Sequence, residues 1–230
     1  MFAYIIFILV GLAVLGVLGV VLLLARLING AVVQSIELIL NADPFLELVE
    51  NGTAVIAEGA DYASRMAWAT AHGFEPDLLA DVNATADGST MVVALWRNPN
   101  THSWLASYTT NDKVHSEFVT TLSQESGLTT SNSVDSALFP QRPGHYVQVF
   151  GDADFDTLFQ RHEEGLLHLR NAKRLEVQDH RKSTIDLVTD SVNRTMEYIQ
   201  SIPLWKHKGF YWYFFRKPRM NNKSIAELYP

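Results

Sequence analysis

The chain of 230 residues contains no cysteine. This absence excludes disulfide bonds, thiolate metal sites and cysteine nucleophiles. The sequence also lacks Gly-x-Ser-x-Gly, the Walker A motif and Gly-x-Gly-x-x-Gly. These motifs are typical of acyl transfer, phosphoryl transfer and dinucleotide binding. We therefore expect a non-catalytic protein that holds no cofactor.

Polar side chains are scarce at the N-terminus. Residues 2–24 contain no charged residue and no Asn, Gln, His, Ser, Thr or Pro. A helix of that length reaches about 34 Å, which is enough for a hydrocarbon core of about 30 Å. A cleaved signal peptide would need basic residues before a shorter apolar run, but the first basic residue is Arg26. We therefore expect residues 1–26 to form one uncleaved transmembrane anchor, rather than a transit peptide or a buried core helix.

The rest of the chain predicts an α+β fold. Helical spacing over residues 27–50 predicts a juxtamembrane helix that stops before Pro44, because the residue before proline avoids the helical region. Residues 51–150 predict a small α+β domain with a helix near 60–72 and an antiparallel sheet of about four or five strands. Strands are expected at residues 90–96, 104–109, 117–122, 127–131 and 146–150.

Residues 151–202 predict helical structure. One apolar stripe begins near Phe155 and a second near Ile185, both at helical spacing. The polar stretch 170–182 separates them. The pattern is compatible with one long helix of nearly 50 residues or with two helices joined inside the polar stretch.

The tail, residues 203–230, carries six basic side chains and one acidic one, although the whole chain has a net charge of −7. Seven of the eleven residues in 205–215 are aromatic. Aromatic rings and cations together are typical of a membrane interface, so we expect an interfacial anchor or a docking segment for another membrane subunit. The candidate residues are Trp205, Phe210, Tyr211, Trp212, Tyr213, Phe214, Phe215, Arg216, Lys217 and Arg219.

Two other interpretations of the tail compete with a membrane interface. It could form an edge strand packed on the domain core, with its Lys and Arg side chains solvated. An aromatic and basic cluster also suits stacking on single-stranded nucleic acid. The acidic body of the chain argues against that second interpretation, and we expect no nucleic acid among the partners.

Orientation and helix contacts follow from a few residues. Arg26 lies on the same side of the anchor as the basic tail, so the positive-inside tendency puts the C-terminal domain in the cytoplasm. Ala13, Gly16 and Gly19 recur every three residues and would leave a smooth strip on the anchor. Small residues of this kind allow close helix packing, although glycine is also simply tolerated in lipid.

Two groups of side chains bear on binding. His162 and His168 are six residues apart, so they lie on different sides of one helix and do not form a metal-ligand pair. We expect His162 to be packed and hydrogen-bonded, with no metal. Trp68, Trp96 and Trp104 would favour a ligand-binding module if they lined one pocket.

These features favour a non-catalytic accessory or scaffolding subunit of a membrane protein complex, for example an energy-transducing complex. Its expected partners are the lipid bilayer and other membrane-protein subunits. The alternative is a membrane-tethered sensor or ligand-binding module. A third hypothesis, an enzyme built from scattered histidines and carboxylates, requires at least three of them to converge.

Overall fold

A computed structural model describes residues 2–49, 60–83, 91–110, 113–179 and 182–230. These residues form a mixed fold with one N-terminal apolar helix and one seven-stranded sheet. Helix α1 spans Phe2–Asn41. Among the described residues, it is the one helix long and apolar enough to cross a membrane. It ends before Pro44, as the sequence predicts.

The sheet follows chain order, with antiparallel neighbours everywhere except the parallel pair β6–β7. Its strands are β1 (Leu46–Leu48), β2 (Glu75–Val82), β3 (Met91–Asn98), β4 (Ser103–Thr110), β5 (Lys113–Leu122), β6 (Ser126–Ser131) and β7 (His145–Val149).

The prediction of four or five antiparallel strands was wrong in two respects. It missed β1, which is only three residues long, and β2, which contains Pro76 and two aspartates. Pairing with β3 and burial of Ala80 and Val82 outweigh the poor strand propensity of β2. It also missed the parallel pair formed by β6 and β7. This pairing is possible because the connector 132–144 is long enough to bring the chain back to the edge of the sheet at which β6 begins.

In the described part of the chain, three further long helices pack around the sheet. They are α2 (Ala60–Ala71), α3 (Phe155–Lys173) and α4 (Thr184–Ser201). Asp154 caps α3 by accepting a hydrogen bond from the Thr157 amide at 2.8 Å, and Arg174 ends it in the left-handed conformation. The two apolar stripes therefore belong to two helices, which is the second of the arrangements that the sequence allowed.

Both faces of the sheet are covered. On one face, Trp96 and Phe118 pack against α2 and α3, including Leu158. On the opposite face, Leu95 and Trp104 pack against α4 and the end of α1. Alternation along the strands produces these two cores, because successive side chains point to opposite sides.

Helix α1 has two different environments along its length. From Val14 to Leu24 its large apolar side chains are exposed. In its second half, Val32 and Ile36 are buried against Met196 and Ile199 of α4. The same helix therefore supplies an uncovered apolar surface and part of the core of the domain.

This burial predicts the effect of shortening Ile36, which is 0% exposed. We expect Ile36→Ala to lower the free energy of unfolding by roughly 2–5 kcal/mol, because it leaves a cavity in the core. The measurement is urea unfolding of the full chain in detergent, followed by tryptophan fluorescence. Val20→Ala is the control, since Val20 lies on the exposed part of α1. Equal losses in the two variants would contradict the core role of α1.

Candidate functional site

The tail is helical. A 3-10 turn at Trp205–His207 leads into a continuous helical stretch, residues 209–220, which we call the tail helix. It contains a π-helical turn at Trp212–Arg216. The edge-strand interpretation was therefore wrong, because the one strand-like pairing of the described tail residues with the sheet is an isolated bridge from Lys223 to Val149. Because consecutive side chains of a helix point in different directions, Trp212 is buried while its neighbours Tyr211 and Tyr213 are exposed.

Asn29 of α1 fixes the start of the tail helix. Its side-chain amide donates to the Lys206 carbonyl at 2.6 Å, and its side-chain oxygen accepts from the Gly209 amide at 2.9 Å. The Lys206 ammonium also pairs with Glu37 at 2.7 Å. The tail is thus attached to α1 one helical turn beyond Arg26.

Gly209 permits this close approach. A Cβ atom at this position would lie 2.8 Å from the Val32 Cβ and 3.1 Å from the Asn29 carbonyl oxygen. Both distances are shorter than ordinary van der Waals contact. The Asn29 backbone and the β-branched Val32 side chain are rigid, so they cannot move aside to make room for a Cβ atom. Glycine is therefore required where the tail crosses α1.

Three of the predicted interface residues are held by the protein itself. Trp212 is buried in the cluster formed by α1 and α4. Arg216 is half-buried and donates from Nε to the Phe139 carbonyl at 3.2 Å, and burial lowers the pKa of its guanidinium below the usual value. Lys217 pairs with Asp135 at 2.6 Å and lies over the Tyr213 ring. These side chains secure the underside of the tail helix.

The other rings form a surface that we call the aromatic patch: Tyr211, Tyr213, Phe214 and Phe215. Their exposed fractions are 51%, 39%, 45% and 48%. They contact one another, with ring centroids 5.6 Å apart for Tyr211–Phe215 and 5.1 Å for Tyr213–Phe214. Half-buried Phe210 supports them at 4.7 Å from Phe214. Contiguous exposed apolar surface of this kind is a candidate interaction site.

The remaining predicted residues lie on α1 or beside it. Gly16 and Gly19 face open space, since no atom of the described chain lies where a Cβ would contact it. The side chain of Ala13 lies outside the described residues. Arg26 is exposed, and Trp205 is half-buried with Lys206 over its ring. Arg219 is exposed at the end of the tail helix.

Neither the two histidines nor the three tryptophans considered from the sequence form a binding site. His162 and His168 have separate partners, and the described part of the chain shows no group of three histidines or carboxylates suited to a metal. Trp68 and Trp96 belong to one core, whereas Trp104 lies on the opposite face of the sheet. The three tryptophans therefore do not line one pocket.

His162 is packed and hydrogen-bonded, as the sequence predicts. It is fully buried, with Nε2 2.8 Å from the Thr120 hydroxyl and Nδ1 2.9 Å from the Thr130 hydroxyl. Burial lowers its pKa to about 3. The ring therefore links α3 to β5 and β6 as a neutral imidazole.

Several structural residues escaped sequence reasoning. Asn29 and Gly209 are the clearest, and the sequence marks both: Asn29 is the first uncharged polar side chain of α1 after the apolar run, and Gly209 directly precedes the aromatics.

The structural role of Glu117 was not predicted either. Its carboxylate accepts hydrogen bonds from Tyr108, Ser131 and Ser136, which ties three strands and the following connector together. Burial raises the pKa of Tyr108, so its hydroxyl remains a donor.

Comparison with known proteins gave no relative: no family model, curated protein or solved structure matches this chain.

The buried imidazole of His162 predicts a pH dependence of stability. Its folded pKa lies below the unfolded value of 6.5, so its contribution is present above pH 6.5 and is lost as the pH falls towards about 3. Between pH 7 and pH 5, protonation of this histidine in the unfolded state should lower the free energy of unfolding by about 2 kcal/mol. Chemical denaturation at several pH values across this range gives the free energy of unfolding as a function of pH. The slope of that free energy against pH should be shallower for His162→Gln than for the wild type. The exposed control His207→Gln should keep the wild-type slope, and an unchanged slope in His162→Gln would contradict the assignment.

The contact at Gly209 predicts a second effect. Gly209→Val should displace the tail helix from α1, because the new side chain overlaps Val32 and the Asn29 carbonyl. Tryptic cleavage in the tail should then become about tenfold faster, corresponding to roughly 1.4 kcal/mol of lost attachment. Gly30→Val is the matched control, since a Cβ at Gly30 meets open space. Equal cleavage of the two variants would show that the contact does not hold the tail.

Proposed function

We propose that this chain is a non-catalytic accessory or scaffolding subunit of a membrane protein complex, for example an energy-transducing complex, held by α1 as a single transmembrane helix. The observation that carries the proposal is the uncovered apolar surface of α1. Its large apolar side chains from Val14 to Leu24 are exposed. Such a surface is unfavourable in water by about 25 cal/mol per Å² and is stable in lipid.

The second half of α1 supports a scaffolding role. α1 continues without a break to Asn41, and its last turns are part of the domain core through Ile36 and Ile39. No proline interrupts it. A continuous helix of this kind holds the sheet at a fixed distance and orientation relative to the bilayer, which is what a positioning subunit requires.

The distribution of cations supports a cytoplasmic domain. Arg26 is exposed at the end of the apolar run, and the contacts of Asn29 bring the basic tail to the same end of α1. Positively charged residues near the end of a span favour the cytoplasmic side.

The glycine strip is the proposed contact with a neighbouring subunit. Gly16 and Gly19 lie on the exposed part of α1, where no described residue covers them. A helix without side chains at these positions allows a second transmembrane helix to approach its backbone closely. We assign Ala13 to the same strip from its spacing.

Filling this strip tests the proposal. Affinity purification of the full chain from native membranes in mild detergent should recover partner subunits. Gly16→Ile with Gly19→Ile should lower that recovery about tenfold, equivalent to 1.4 kcal/mol of lost packing. The added side chains meet open space within the chain itself, so its own fold should be unaffected.

Val14→Ile with Val21→Ile is the matched control, because it adds bulk to a side of the same exposed helix that lies away from Gly16 and Gly19. Its recovery of partners should equal that of the wild type. Purification of the wild-type chain alone, without any partner, would count against a role as a subunit.

A further inference from the structure

We propose that the aromatic patch and three cations, Arg26, Lys208 and Arg219, form a docking surface for anionic phospholipid headgroups. The tail helix would then lie along the surface of the bilayer that α1 crosses. The inference rests on the proposed function in one respect, namely that α1 is embedded in lipid. Lipid headgroups would then occupy the exposed surface of the tail, and only some of its cations would bind them, while the others hold the tail on the domain.

The tail helix begins close to the end of the apolar run of α1. The side chain of Asn29 bonds the start of the tail helix to α1. Arg26 is three residues earlier, or about 4.5 Å along the helix axis. Leu24 and Leu27 on that turn are exposed. The tail therefore begins where the uncovered apolar surface of α1 ends.

The chemistry of the patch suits the boundary between lipid tails and headgroups. Tyr211 and Tyr213 combine an apolar ring with a hydroxyl group, and Phe214 and Phe215 lie beside them. Rings of this kind are favoured at the level of the headgroups. The underside of the helix is occupied by Trp212 and Met220, both buried, so the exposed rings are not needed to hold the tail on the domain.

The cations in and beside the tail helix divide into two groups. Lys206 and Lys217 are paired with Glu37 and Asp135. Arg216 is half-buried against the connector before β7. These three cations are already satisfied by the protein.

The other cations remain available for headgroups. Among residues 2–49, 60–83, 91–110, 113–179 and 182–230, no acidic side chain pairs with Arg26, Lys208 or Arg219. Lys208 directly precedes the tail helix, Arg219 is near its end, and Arg26 is on α1. Cations that flank an apolar patch complement the negative surface of an anionic leaflet. This arrangement, and the attachment of the tail at the end of the apolar run of α1, favours lipid over a protein partner as the occupant.

A chain without cysteine allows a direct test. The full chain carrying Phe214→Cys is spin-labelled and reconstituted in nanodiscs of phosphatidylcholine, with or without phosphatidylglycerol. Accessibility to oxygen and to a water-soluble nickel reagent reports the depth of the label. Leu22→Cys on α1 and Thr70→Cys on the exposed side of α2 are the lipid and water references.

We expect the Phe214 label to be protected from nickel, and the protection to increase with phosphatidylglycerol. Lys208→Gln with Arg219→Gln should abolish that increase. Lys173→Gln with Lys182→Gln, which removes the same charge from exposed positions outside the tail, should preserve it. Tyr211→Cys provides a second label position on the patch and should behave in the same way.

Two results would overturn the inference. If the labels at Phe214 and Tyr211 are as accessible to nickel as the label at Thr70 in both lipids, while Leu22 is in lipid, the patch does not face the bilayer. That result leaves the proposed function intact and points to a protein partner on the patch. If the label at Leu22 is itself accessible to nickel, α1 is not embedded, and the inference and the proposed function both fail.

Discussion

The packing of α1 in two environments is the constraint on which the rest of the structure depends. From Val14 to Leu24 its large apolar side chains are exposed, whereas Val32 and Ile36 in its second half are buried inside the domain. Because the helix is continuous, the sheet and α4 cannot move independently of the exposed segment. The position of the tail follows from the same helix, since Asn29 and Val32 define where Gly209 approaches.

The tail shows how one run of residues divides into structural and available side chains. The composition of residues 205–219 suggested a single class of interface residue. In the fold, Trp212, Arg216 and Lys217 are occupied by internal contacts, while Tyr211, Phe214 and Phe215 face outwards. A helix makes this division possible because it presents different sides to the domain and to the surroundings.

Much of the fold could be predicted from the sequence where a local pattern was strong. The end of α1 before Pro44, the strands from β3 to β7, and the pair α3 and α4 follow from periodicity, capping residues and turns. The strand β2 and the parallel pairing of β7 could not be predicted, because they depend on neighbours distant in the sequence. The same reason applies to the site: its aromatic residues were evident from composition, but the contact between Asn29 and Gly209 joins residues 180 positions apart.

The proposed function requires that α1 remains in the bilayer while its continuation is part of the folded domain. Extraction of native membranes with alkaline carbonate, followed by intact-mass measurement of the chain, tests this requirement. We expect the chain to stay in the membrane fraction with residues 2–24 still attached. Release of the intact chain into the aqueous fraction, or loss of its N-terminal segment from the membrane-bound product, would contradict it.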